Sequence, residues 1–299
     1  MTHRFSFSTV CLTALAPLIW GSTYWVTTEW LPPDRPFTTA VLRVLPAGVL
    51  LLLWQREWPK GQEIGRLCVL AVLNIGLFQA MLFVAAYRLP GGLAAILTST
   101  QTLMVLLLSW LAGSRPPVAA WRAAAAGVAG IGLLVYAPNM AADALGMVAA
   151  LVGAASMAAG VVLAKRWTFS LSVPALTGWQ LLLGGLLLLP LAWCLEPALP
   201  VLSAANMAAY AYLSLFGAVL AYVLFFRGIR QLPPAVVSSL GLLSPVCAFV
   251  LGWLLLQQNL DSVSLFGLVL ALLSIFGVQH ALQASASSTV KHTAQKEVL

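Results

Sequence analysis

Ten apolar runs, each close to the length that crosses a bilayer, follow one another along this chain: 8–28, 36–55, 66–87, 90–112, 116–137, 144–164, 173–194, 203–226, 234–256 and 263–283. A spanning α-helix takes roughly 20 predominantly apolar residues. A continuous run in lipid must be helical, because only then does the segment satisfy its own backbone hydrogen bonds. The pattern predicts an all-α polytopic membrane protein with ten transmembrane helices. Composition agrees: 8% of residues are charged, against about 25% in a soluble domain.

The connections are short and carry Pro, Gly or charge, as in Pro32-Pro33-Asp34-Arg35-Pro36 and Arg115-Pro116-Pro117. The net charge of +7 is not a nucleic-acid footprint, since the basic residues sit in small clusters between apolar runs. With the N-terminus inside, 12 of the 15 Lys and Arg fall on the cytoplasmic side, and Glu29, Asp34, Asp143, Glu196 and Asp261 fall outside. That is the positive-inside pattern, and it predicts a multi-pass protein of the cell inner (plasma) membrane with both termini cytoplasmic. The first run is read as an uncleaved helix rather than a signal peptide, being too long and lacking a small-residue cleavage site. Cys11, Cys68, Cys194 and Cys247 lie within apolar runs without metal-ligand spacing, and buried thiols are expected. No metal and no cofactor is expected.

Leu89, Pro90, Leu97, Leu108 and Trp110 recur at a constant offset as Leu232, Pro233, Leu240, Leu251 and Trp253. An ungapped recurrence of this kind indicates internal duplication. Two units follow, 8–137 and 144–283, with a polar cytoplasmic tail at 284–299 expected to be disordered. Five helices per unit make the second enter the membrane from the opposite side, so the expectation is a 5+5 inverted-topology repeat, an architecture of secondary transporters. Arg43 and Gly48 align with Gln180 and Gly185 in the second and seventh runs.

W-G-S-T-Y-W at Trp20 to Trp25, L-R-V-L-P-A-G at Leu42 to Gly48, the Leu-Pro starts of the fourth and ninth runs and G-V-A-G-I-G at Gly127 to Gly132 stand in one order along the chain. In that order they resemble the drug/metabolite transporter superfamily, in its ten-helix EamA-type branch of bacterial permeases and exporters. The resemblance implies a carrier for small organic solutes. Members of that branch often carry a glutamate after the fourth and ninth helices; here those places read Gly113-Ser114-Arg115 and Gln257-Gln258-Asn259.

Arg43 is the charged residue placed deepest within an apolar run, and such a charge is expensive and marks a function by default. Its planar fork suits a carboxylate; the competing reading is a structural arginine satisfied by its neighbours. Trp20 and Tyr24, four apart on one helical face, would wall a cavity, while Trp25 suits the interfacial aromatic belt. Asn74, Gln79, Gln101, Trp179, Gln180, Tyr212, Tyr222 and Ser244 complete the candidate substrate-binding set, with Thr98, Ser238 and Ser239 as further polar residues. Gly127, Gly130, Gly132, Gly267 and Ala271 in the fifth and tenth runs read as packing seams or a homodimer contact through either helix.

The expected function is a secondary transporter moving small organic metabolites, amino acids or related compounds, by alternating access around a midplane cavity. A drug or toxic-compound efflux carrier of the same fold is the alternative. An intramembrane enzyme on lipids is a third reading, disfavoured because no His, Asp, Glu or paired Cys cluster for acid–base or metal chemistry. A carboxylate for proton coupling is likewise missing from the helix cores.

Overall fold

The computed structural model describes residues 7–113, 115–135, 143–231, 240–241, 243–257 and 262–296. Among them every regular element is a helix: α1 (Phe7–Trp30), α2 (Pro36–Gln55), α3 (Gly61–Arg88), α4 (Gly91–Leu111), α5 (Val118–Val135), α6 (Ala144–Arg166), α7 (Val173–Leu195), α8 (204–231), α9 (Leu243–Leu255) and α10 (Ser262–Lys296). Seven of these, α1 to α4 and α6 to α8, are long and apolar enough to cross a membrane, and Val118–Leu133, Leu243–Leu255 and Leu265–Val278 are shorter apolar helices. Ser238, Ser239 and the Leu232-Pro233 start of the second recurrence lie outside the described residues.

Local chemistry sets the helix ends. Pro36 opens α2 at a position where its missing N–H costs nothing. Asp143 caps α6 by accepting from the Gly146 amide at 2.7 Å, and Ser203 and Asn206 form a reciprocal capping box on α8. Arg56 ends α2 in the left-handed conformation at φ 54°. The Gly146 amide, and then Arg88 at 3.1 Å, hold the Asp143 carboxyl below its usual value of 3.8. A carboxylate with a depressed folded pKa contributes stability above the ordinary range and loses it as pH falls through the depressed value. The contribution is small at this exposed site, and Asp143→Asn is expected to flatten the acid limb of a melting-temperature profile run from pH 7 to 3.

Three predicted helices differ from regular spans. The fourth run is interrupted: α4 breaks at Thr100 into Gly91–Ser99 and Gln101–Leu111. The Thr98 and Ser99 hydroxyls donate to the carbonyls of Ala94 and Ala95, and the Thr100 hydroxyl donates to Leu97; such back-bonding bends helices. α3 and α8 each contain a π-helical turn, at Val72–Leu77 and Leu215–Leu220. The turns stand 143 positions apart (215 against 72), the spacing that also separates Leu89 from Leu232. The tail expected to be disordered instead continues α10 as helix to Lys296; no Gly or Pro interrupts 284–296, so nothing in its backbone chemistry stops the helix.

Packing places α2 against α7 through the middle of the molecule, α1 against α8 and α9, α3 and α4 against α6, and α5 against α10. Small residues make these approaches close. A Cβ on Gly48 would stand 2.5 Å from the Leu182 backbone nitrogen. The seam of α5 and α10 joins those helices to each other: a Cβ on Gly130 would meet the Ala271 nitrogen at 2.7 Å and the Gly267 oxygen at 2.8 Å. The small residues read as an alternative dimer contact are therefore engaged within the chain, Gly132 excepted, which meets nothing within 4 Å.

Apolar side chains face outward over much of the surface. Leu53, Trp54, Leu111 and Trp193 are all well exposed, as a lipid-facing exterior requires. The buried-thiol expectation fails for the same reason: Cys11, Cys68 and Cys194 sit on exposed helix faces and Cys247 is half-buried. An apolar run that spans a membrane has two destinations for a thiol, core and lipid, and the run alone does not separate them.

Carboxylates tie the helix ends of α2 and α7 together. Glu196, just past α7, accepts from the Thr38 amide at 2.8 Å, its hydroxyl at 2.6 Å and the Phe37 amide, all in the first turn of α2. Glu57, just past α2, accepts from the Ser172 amide at 2.7 Å at the start of α7. Anions at helix N-termini satisfy orphan amides and the helix dipole. Glu196→Ala is expected to lower stability by about 1–2 kcal/mol, seen as a lower thermal midpoint in detergent, with Glu196→Gln falling between the two.

Candidate functional site

Arg43 lies on the buried face of α2 and is 3% exposed. Across from it runs the π-helical turn of α8, whose wider coil presents the Gly217 carbonyl to the side. Two donors converge on that oxygen: Trp20 Nε1 at 3.0 Å and Arg43 Nη2 at 3.4 Å. The second is long for a hydrogen bond. Arg43 Cζ stands 5.6 Å from the centroid of the Phe83 ring, within cation–π reach. Its Nε and Nη1 are buried without any hydrogen-bond partner. A Cβ on Gly217 would lie 3.7 Å from the guanidinium, in ordinary van der Waals contact, so the approach does not itself require glycine.

Tyrosines and a tryptophan surround the cation. Tyr222, Tyr24 and Tyr212 all lie near enough to Arg43 to feel its charge. Trp20 meets Tyr222 edge-on at 5.5 Å and Phe225 at 5.1 Å, and Tyr212 stacks on Phe216 at 5.5 Å. The Ser22 and Tyr212 hydroxyls share a hydrogen bond of 2.7 Å. Tyr24 is buried, with its hydroxyl against that of Thr98, whereas Trp20, Ser22, Tyr212 and Tyr222 keep part of their surface accessible. The only ion pair among the described residues joins Arg88 to Asp143, so no described carboxylate neutralises Arg43.

Asn74 and Gln180 form a second polar pair. Asn74, in the π-helical turn of α3, donates from Nδ2 to Gln180 Oε1 on α7 at 2.8 Å, and Gln180 Nε2 donates to the Leu176 carbonyl at 3.3 Å. The two pairs correspond. Gln180 aligns with Arg43 in the sequence, and Asn74 lies 143 positions before Gly217. In each pair, a polar side chain of the second or seventh helix meets the π-helical turn of the eighth or third.

The structure thus brings Trp20, Tyr24, Arg43, Tyr212 and Tyr222 into one group and Asn74 with Gln180 into another. Gln79, 1% exposed, leaves its Oε1 unpartnered. Gln101 and Ser244 are half-buried, Gln101 just after the Thr100 break and Ser244 at the start of α9, its carbonyl facing Gly21 of α1. Trp179 is placed elsewhere: its indole N–H donates to the Glu57 carbonyl at 2.9 Å and its ring lies on Trp58 at 5.2 Å, clamping the loop after α2. Trp25 pairs with Trp30 near the end of α1. Four residues of the group around Arg43 escaped the sequence reading, Phe83, Phe216, Gly217 and Phe225. The repeat spacing applied to Asn74 points at Gly217; nothing in the sequence singles out Phe83. A groove between α5 and α10, bordered by Pro117, Ala123, Gly277 and His280, includes none of these residues.

A bundle of membrane-crossing helices enclosing a buried, uncompensated arginine among aromatic rings defines a membrane transporter. The chain belongs to the EamA-like transporter family, whose profile matches residues 7–136 and again 144–279. It is 42% identical over 285 residues to protein PecM of Dickeya dadantii (strain 3937), covering 94% of this chain and 96% of that protein. It is 30% identical over 251 residues to the inner membrane transporter YedA of Escherichia coli (strain K12), with 82% of each chain covered. A solved crystal structure shares the fold at a TM-score of 0.65 and 18% identity, over 93% of this chain and 98% of the other. The protein is accordingly a multi-span membrane protein of a transporter family.

Proposed function

We propose that this chain is a secondary carrier that moves small organic metabolites, amino acids or related compounds, by alternating access, with Arg43 at the centre of its substrate site. The observation that carries this reading is the guanidinium with Nε and Nη1 unspent in a region that few charges enter. A central arginine costs a transmembrane helix roughly 2.5–3.5 kcal/mol, and a guanidinium kept at that cost with Nε and Nη1 unpartnered is explained by a partner that comes and goes.

Two units of five helices in inverted topology, both termini cytoplasmic, give the motion its geometry. Support comes from the doubled family match, the equal spacing of the π-helical turns and the corresponding polar pairs. Each pair joins helices from different units, so rocking one unit against the other acts directly on Arg43 and Gly217. At 3% exposure Arg43 is sealed in this conformation, and substrate reaches it only when the helices part. The π-helical turns and the break at Thr100 are the places where backbone hydrogen bonding is already irregular and bending is cheapest. Gln79, Gln101 and Ser244 would line the path on either side, and α5 with α10 would form an outer prop.

Counterflow tests the carrier reading. Proteoliposomes preloaded with an unlabelled mixture of amino acids and the related carboxylates that lack the amino group, without an ion gradient, are expected to accumulate labelled solute above equilibrium and then release it. A trace that rises monotonically to equilibrium indicates a channel and removes alternating access.

A further inference from the structure

We infer that the Arg43 site selects solutes by charge type, taking a monocarboxylate with a flat aromatic body and without an ammonium group. This rests on the Proposed function only in placing substrate at Arg43. The charge comes first. Arg43 is the one buried cation among the described residues, and its Nε and Nη1 have no partner. One carboxylate neutralises it and takes one unspent nitrogen, Nε or Nη1, together with the second hydrogen of Nη2, in a two-point charge-assisted contact. A second carboxylate would be left buried and unpaired, which is unfavourable.

The absence of an ammonium follows from what surrounds the cation. The groups facing Arg43 are the Gly217 carbonyl, the Phe83 ring and the hydroxyls of Tyr24, Tyr212 and Tyr222. The Gly217 oxygen already accepts from Trp20 at 3.0 Å, and the Ser22 and Tyr212 hydroxyls are committed to each other. No described carboxylate stands in this group to receive a positive charge. An amino acid would place its ammonium within a few bonds of its carboxylate, hence beside Arg43, where like charges repel. The flat body follows from the walls: Trp20, Tyr222 and Phe225 meet at ring distances of 5.1–5.5 Å, offering faces and edges to another ring. The narrowing therefore runs against zwitterionic amino acids and toward their deaminated counterparts.

A matched series on one ring tests this. Binding of 3-phenylpropionate, L-phenylalanine, 3-phenylpropionamide, phenylsuccinate and phenylethylamine to the purified full-length protein in detergent is measured by isothermal titration. The expected order is 3-phenylpropionate first, at least 30-fold tighter than the amide and at least 10-fold tighter than phenylalanine or phenylsuccinate, with no binding of phenylethylamine. Arg43→Gln is expected to erase the preference for the acid over the amide, and Arg43→Lys to keep part of it. Equal binding of acid and amide by wild type, or tighter binding of phenylalanine, overturns the inference. Because binding is read without transport, acid-selective binding with no counterflow of any probe would sink the carrier reading alone. Counterflow of amino acids that 3-phenylpropionate does not inhibit would sink this inference and leave the carrier standing.

Discussion

Arg43→Gln is expected to cut the initial rate of solute exchange by roughly 30- to 4,000-fold while leaving expression and membrane insertion unchanged. The magnitude follows from what is removed. Losing a desolvated charge that pairs with a bound ion costs about 2–5 kcal/mol, and each 1.4 kcal/mol is tenfold. Glutamine keeps much of the volume and two N–H donors but loses the charge and the fork. The nearby aromatic rings do not replace it, since Trp20, Tyr222 and Phe225 supply area and not countercharge. Exchange by reconstituted variant and wild type at equal protein density is the measurement. A variant within threefold of wild type would remove Arg43 from the site.

Gly48→Ala should be strongly damaging for a single added methyl. The added carbon would stand 2.5 Å from the Leu182 backbone nitrogen and 3.0 Å from the Leu181 carbonyl carbon. Those are backbone atoms of α7, which no rotamer change moves aside, so the helices must separate. Overpacking of this kind costs typically 1–3 kcal/mol. Separation at Gly48 also disturbs a contact on which both units depend, because α2 and α7 are tied at either end by Glu196 and Glu57. Gly132→Ala is the matched control: it meets nothing within 4 Å, and replacing a mid-helix glycine there is expected to stabilise by up to about 1 kcal/mol. Thermal midpoints of the two variants in detergent should move in opposite directions. Equal, small shifts would show that the α2–α7 seam is looser than the geometry says.

The helical architecture was legible because a membrane leaves a chain few options. Apolar runs of one length must be helices, and a charge or a pair of aromatics four apart stands out within them, as Arg43, Trp20 and Tyr24 do. What the runs conceal is irregularity within them. Nothing apolar distinguishes Val72–Leu77 or Leu215–Leu220 as π-helical, since an extra residue per turn changes hydrogen-bond register and not hydropathy. Thr98-Ser99-Thr100 was visible as a polar cluster, yet its effect depends on each hydroxyl turning back on its own backbone. Trp179 shows the opposite error. Sitting beside Gln180 it looked like part of the site, but neighbouring residues on a helix point about 100° apart, and its ring goes to the Glu57 loop. Phe83 stayed hidden because a phenylalanine in an apolar run carries no signal until the cation above it is located.

The measurement that bears most directly on Arg43 as a ligand-binding group is the thermal stability of wild type and Arg43→Gln, both purified without substrate. In the proposed role Arg43 is retained against the interest of the empty fold. The Phe83 ring and the long bond to Gly217 offset part of its burial. The variant is then expected to be as stable as wild type or more so, by up to about 2 kcal/mol. A variant destabilised by several kcal/mol would show that Arg43 holds the empty helices together, and would contradict the assignment of its free nitrogens to a substrate.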